Sequence, residues 1–339
     1  MKPIKSVIYF SILFSLLTNS CVSQSNPSAT QLLPQETQPL STSTSTLTPK
    51  PLATSTPTKK LSNILFDDFN YSTREEMTAN SWIIRFQAGW PGMPGATFRP
   101  ENVSFVDDTV IAGNRKLRMS SSTDGTSINT FQTQICHQRK YLEGTYAARV
   151  YFTNEPVRGL DSDQVVETFY AITPYEEALD PDYSEMDFEY LPNGGWSWGP
   201  MSFMFTTWET VRIEPWLAEN TNNFIVEDQG GWRTLVVQVK EGRVRYYIDG
   251  RLTVEHSGNY YPDAPMSINF NLWFVNGGTS KNRDPRTYQE DIDWVFHEAG
   301  VILSPEQVNE TVGLLRESTI SFLDTVPETT PPLTSPCDL

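Results

Sequence analysis

The chain has 339 residues, with 25 Lys and Arg against 41 Asp and Glu and a formal net charge of −16. A surface this acidic repels phosphates and anionic headgroups, so nucleic acid is excluded as a partner, whereas an uncharged glycan is compatible. With 3 Cys and 3 His there is no metal-ligand cluster, and zinc chemistry is set aside.

In chain order, the first element is an export signal. Lys2 and Lys5 precede an apolar run over residues 7–17, too short for an ordinary membrane span. Leu16-Leu17-Thr18-Asn19-Ser20-Cys21 resembles a lipoprotein signal, with Thr18 where Leu is usual. The resemblance implies lipidation of Cys21 and a protein outside the cytoplasm, on the cell surface or the periplasmic face, touching the membrane only through its anchor. A plain secretory signal is the alternative. Residues 22–61 are rich in Ser, Thr, Pro and Gln and read as a disordered tether.

From residue 62 to residue 300 the texture changes to short Val-, Ile-, Phe-, Tyr- and Trp-rich runs separated by Gly, Pro, Asn and Asp. Residues 147–152, 165–172 and 234–239 read as strands, and Val244, Tyr246 and Ile248 lead into an Asp249-Gly250 hairpin turn. Many short strands with turn signals predict an all-β, two-sheet antiparallel sandwich or jelly roll folding as one monomeric domain. Ser304-Pro305-Glu306-Gln307 starts a C-terminal helix within 301–326, with Val308, Val312, Leu315 and Phe322 on one face. Residues 327–339 read as a flexible tail. If Cys21 carries lipid, Cys136 and Cys337 remain, either bridged in an oxidising compartment or as two free thiols.

The run Glu185-Met186-Asp187-Phe188-Glu189 carries the chemistry. As a strand it places Glu185, Asp187 and Glu189 on one face, and Met186, Phe188 and Tyr190 on the other. Adjacent like charges on one face are costly as mere structure. Two glutamates at i and i+4, leaning together, reach the separation of about 5–5.5 Å used in retaining glycoside cleavage. In that reaction one carboxylate attacks the sugar and the other protonates the leaving oxygen. An exposed acidic strand or a calcium site are the bland alternatives.

Glu185-Met-Asp-Phe-Glu189 resembles the signature of glycoside hydrolase family 16. So, in order, do the segments at 98–105, 141–146, 246–250, 269–273 and 291–295. The uninterrupted three-acid pattern is similar to the lichenase and xyloglucan-active branch. The resemblance implies a concanavalin A-like jelly roll with a cleft. It also implies Glu185 as nucleophile, Asp187 as electrostatic helper and Glu189 as acid/base, with no cofactor needed for catalysis. Asn269, Asn271 and Trp273 share a strand face suited to a sugar. Tyr183, Gln134, His137, Trp196, Trp198 and Trp208 are the further candidates for substrate contact. An aspartate like Asp293 holds a structural calcium in some members. Ser202, Met204 and Thr206 depart from the usual lichenase strand, which separates the chemistry from the specificity. The function expected is a retaining endo-acting hydrolase of a β-linked polysaccharide, of β-glucan type. A transglycosylase or a non-catalytic carbohydrate-binding module are the alternatives.

Overall fold

The computed structural model describes residues 61–196, 198–335 and 337. The export signal, Cys21 and nearly all of the tether lie outside the described residues. Strands β1 (Ile64–Asp67), β2 (Ile83–Ile84), β3 (Thr97–Phe98), β4 (Val103–Asp107), β5 (Arg115–Thr123) and β6 (Phe131–Cys136) open the domain, with a short helix α1 (Arg74–Thr78) between β1 and β2. There follow β7 (Gly144–Phe152), β8 (Val165–Ile172), β9 (Glu185–Leu191), β10 (Ser202–Arg212), β11 (Leu217–Ile225) and β12 (Gly231–Lys240). The chain ends through β13 (Arg243–Ile248), β14 (Arg251–Ser257), β15 (Ser267–Phe274), β16 (Arg286–Ala299), α2 (Pro305–Glu317) and β17 (Phe322–Asp324).

These strands form the expected two-sheet sandwich. One sheet runs β2-β6-β15-β8-β9-β10-β11, each pair antiparallel. The other runs β14-β13-β12-β7-β16, and β16 is then flanked by β5 along one half and β1 along the other. Ser122 pairs with Phe131, so the two sheets meet at one edge. Asp249 and Gly250 both take positive φ, 48° and 82°, the two-residue turn whose twist matches its flanking strands.

Alternation decides what goes inside. Met186, Phe188 and Tyr190 of β9, Val165, Phe169 and Ala171 of β8 and Ile268, Phe270 and Leu272 of β15 enter one core with Ala148, Val150 and Leu235 of the facing sheet. A second cluster lies on the outer face of that facing sheet. There Val308, Val312 and Leu315 of α2 cover Phe66, Ala147, Val236, Trp294 and Phe296. Ser304 caps α2 by accepting from the Gln307 amide, while the Gln307 side chain accepts from the Ser304 amide. The helix is shorter than the 301–326 expected, and Phe322 belongs to β17, which pairs with β1.

The tail is the larger correction. It has no helical or strand periodicity to announce it, yet its described residues are fixed from outside. Glu328 pairs with Lys140 at 2.7 Å, Leu333 bridges Arg139, and Ser335 is buried. Cys337 is disulfide-bonded to Cys136, which resolves the open choice in favour of the bridge.

Candidate active site

A cleft of about 650 Å³ crosses the first sheet, and the strand register gives its floor residue by residue. Glu185 faces Ile172 on one neighbour and Trp208 on the other. Asp187 faces Tyr170 and Thr206, and Glu189 faces Thr168 and Met204. The rows continue outward: Thr206 meets Asn222, while Thr168 meets Asn271 and then Gln134. The three carboxylates therefore stand in one line along β9, and a polymer lying across the strands passes over them.

All three acids share one electrostatic cause. Removal from water raises the pKa of each, because burial penalises the charged form. The neighbours then separate them. Glu185 is held back toward its charged form by the Tyr183 hydroxyl and by a hydrogen bond from Asp187. Asp187, between two glutamates, is raised furthest above its ordinary value, and it accepts from Trp208 Nε1 at 2.8 Å. Glu189 has no such help, and the charge of Glu185 raises it further after burial. Hydrogen bonds thus hold Glu185 toward its charged form, whereas the charges of their neighbours push Asp187 and Glu189 toward their protonated forms. Asp187 and Glu185 also share a hydrogen bond, so the helper expected at 187 is linked directly to the nucleophile expected at 185.

The remaining candidates divide. Gln134, Tyr183, Asn271, Trp273, Trp196 and Trp208 line the cleft, and Trp196 packs on Trp273 with ring centroids 5.9 Å apart. Gly194 makes that turn possible: its φ is +67°, and a Cβ there would lie 2.1 Å from the Trp198 carbonyl oxygen. Three candidates fall elsewhere. Asn269 has the correct strand parity, but it is fully buried, with its amide given to Ser267 O and Oγ at 3.0 and 2.8 Å. Its register partner is Cys136, so the disulfide to the tail occupies that flank. His137 is a core residue between Tyr141 and the Asn80 carbonyl, packed on Trp82. Trp198 stacks edge-on against Phe224, outside the cleft lining.

Asp293 does not fit calcium. Its carboxylate receives Arg316 Nη2 at 2.9 Å, Asn114 Nδ2 at 2.9 Å and Arg149 Nε at 3.4 Å. A hard cation requires oxygen ligands, whereas the groups hydrogen-bonded to or ion-paired with this carboxylate among the described residues are N–H donors. Two guanidinium groups supply the positive charge instead.

Sequence reasoning missed Arg85, Trp90, Thr168, Tyr170, Trp216 and Asn222, all of which line the cleft. Thr168 and Tyr170 carried a signal, since they alternate with Val165, Phe169 and Ala171 on the predicted 165–172 strand. The others come from loops and from a neighbouring hairpin, whose approach no local pattern reveals.

No protein-family model and no curated protein matches the chain. Solved structures do. A Bacillus licheniformis β-glucanase is 17% identical, covering 70% of this chain and 99% of that one, with a TM-score of 0.51. A prokaryotic β-1,3-1,4-glucanase (lichenase) derived from a mouse hindgut metagenome is 16% identical over 70% and 99%, with a TM-score of 0.50. The Bacteroides ovatus mixed linkage glucan PUL GH16 protein, in complex with a G4G4G3G product, is 15% identical over 68% and 98%, with a TM-score of 0.53. At such identity the likeness shows the fold, and the fold of this chain is that of the glycoside hydrolase family 16 β-glucanases.

Proposed function

We propose that the protein is a retaining, endo-acting glycoside hydrolase of a β-linked polysaccharide, of β-glucan type. The observation that carries this reading is the line of Glu185, Asp187 and Glu189 on the floor of a transverse cleft, with the Tyr183 hydroxyl donating to Glu185. Glu185 attacks the anomeric carbon while Glu189 gives its proton to the leaving oxygen. Glu189, now a base, takes a proton from the water that releases the glycosyl-enzyme. Asp187 donates to Glu185 and keeps the nucleophile charged. Trp90 on one rim and Trp216 on the other extend the lining on both sides of the acids, which suits a cut inside a long chain. The same proposal places the enzyme outside the cytoplasm on a Cys21 lipid anchor, acting as a monomer. The Cys136–Cys337 disulfide supports an oxidising compartment.

The test is a panel of lichenan, laminarin and xyloglucan incubated with the wild-type protein, Glu185→Gln and Glu189→Gln. Wild type releases oligosaccharides whose first product keeps its anomeric configuration by NMR. Glu185→Gln releases none, and Glu189→Gln loses about 10²–10⁴-fold in rate. Inverted product, or products from Glu185→Gln at the wild-type rate, would sink the proposal.

A further inference from the structure

Four cationic side chains are buried among the described residues: Arg85, Lys116, Lys140 and Arg286. Three of them face carboxylates. Arg286 pairs with Asp163 at 2.6 Å, Lys140 with Asp324 at 2.7 Å and Lys116 with Asp291 at 3.6 Å. Arg85 is 4% exposed and pairs with no carboxylate among the described residues. Burying a charge without a counter-charge is costly, and here the cost is visible as a pKa lowered by desolvation.

The arginine is nevertheless held in place. Its Nε donates to the Gln87 carbonyl at 3.1 Å and its Nη1 to Gln134 Oε1 at 2.8 Å. Its guanidinium lies over the Phe98 ring, 4.0 Å from the centroid. Gln134 in turn donates to the Tyr170 hydroxyl at 2.8 Å, tying Arg85 to the cleft floor. Nη2 has no acceptor among the described residues, and Arg85 lines the cleft beside Gly89 and Trp90. A rigid, desolvated guanidinium with free donors facing a ligand channel matches a carboxylate or sulfate geometrically.

We propose that Arg85 recognises an anionic substituent, a carboxylate or a sulfate ester, on a sugar of the bound polysaccharide. The inference rests on the cleft being the polysaccharide site. Gln134 lies three strand spacings from Glu189, roughly 14 Å across the sheet, so the residue read is remote from the bond being cut. The net charge, compatible with an uncharged glycan, does not decide whether the sugar at Arg85 carries such a substituent. The distant surface charges are screened within about 8 Å at physiological salt.

Binding separates this inference from catalysis. Glu185→Gln protein is run by affinity electrophoresis through gels containing lichenan, carboxymethyl-lichenan or sulfated lichenan at physiological salt. An anionic polymer is expected to retard it at least about tenfold more strongly than the neutral one, and the two anionic gels show which group is preferred. Adding Arg85→Met is expected to remove about tenfold or more of the anionic binding and a clearly smaller share of the neutral binding. Arg85→Lys keeps the charge and should retain part of the preference. Equal binding of the three polymers by the parent protein overturns the inference without any Arg85 variant. So does an equal loss on neutral and anionic gels in Arg85→Met. If wild type cuts lichenan but shows no anionic preference, this inference fails and the hydrolase stands. If it prefers anionic polymer but cuts nothing, the hydrolase fails and this inference stands.

Discussion

At the residue scale, the site is three carboxylates made unequal by their neighbours. The Tyr183 hydroxyl donates to Glu185 and favours its charged form. Removing that donor in Tyr183→Phe should raise the Glu185 pKa, because the anion loses a stabilising partner. Hydrogen bonds to charged groups contribute about 1.5–3 kcal/mol, and about 1.4 kcal/mol is one pH unit. The acid limb of kcat/KM should therefore move up by roughly one unit or more, narrowing the profile from its acid side. A uniform drop in rate with an unmoved profile would assign Tyr183 to substrate contact alone. The acid row was legible in the sequence because a strand of period two fixes which side chains share a face. The same rule misplaced Asn269, whose parity was right and whose flank is taken by the Cys136 disulfide. Arg85 was not legible, because its lack of a carboxylate partner among the described residues is a property of long-range packing.

At the element scale, α2 is fastened to the outer sheet by an apolar stripe and one ionic contact. Val308, Val312 and Leu315 supply the stripe, and Arg316 in the last turn reaches Asp293. The stripe was readable from helical spacing, and the Ser304 cap from its residue type. Arg316 was not, since nothing local says that it meets an aspartate 23 residues earlier. Because the guanidinium groups supply the cation at Asp293, chelation with EDTA is expected to leave the melting temperature unchanged. Arg316→Met should cost about 1.5–3 kcal/mol, the range for a hydrogen bond to a charged group. A fall in melting temperature on chelation, restored by calcium, would show that the wild-type protein holds the ion after all. The tail illustrates the opposite limit. It has no periodicity of its own and is ordered only through what it touches, Lys140, Arg139 and Cys136.

At the scale of the whole molecule, the sandwich carries a second acidic pair, which strand alternation places on the inward faces with Val165, Phe169, Tyr288 and Ile292. Glu167 of β8 and Glu290 of β16 both lie fully buried between the sheets. Glu167 accepts from the Thr153 amide at 2.9 Å, whereas Glu290 has only the Thr168 backbone near enough to ease its burial, and no hydrogen bond of good geometry among the described residues. Burial raises both pKa values well above the carboxylate range, and the charges of Glu167 and Asp291 oppose the ionisation of Glu290 further. The folded protein therefore keeps a proton that the unfolded chain releases near pH 4. With more protons bound in the native state, stability falls as pH rises above that point, by about 1.4 kcal/mol per unit for each such group. His137, His256 and His297 act in the opposite sense. Burial lowers them to about 3, 4 and 3, so the unfolded chain binds the extra protons and stability falls on acidification. That contribution is lost below about pH 6.5 and is constant above it, which leaves the alkaline side to the acids. Glu290→Gln removes one titrating core group and relieves its neighbour. It should raise unfolding free energy several-fold more at pH 8 than at pH 5, because the unfolded glutamate ionises at about pH 4.3 and each further unit adds about 1.4 kcal/mol. Urea unfolding of wild type and variant at the two pH values measures the difference. An equal change at both would mean that Glu290 carries no excess proton in the fold, and that the alkaline decline arises elsewhere.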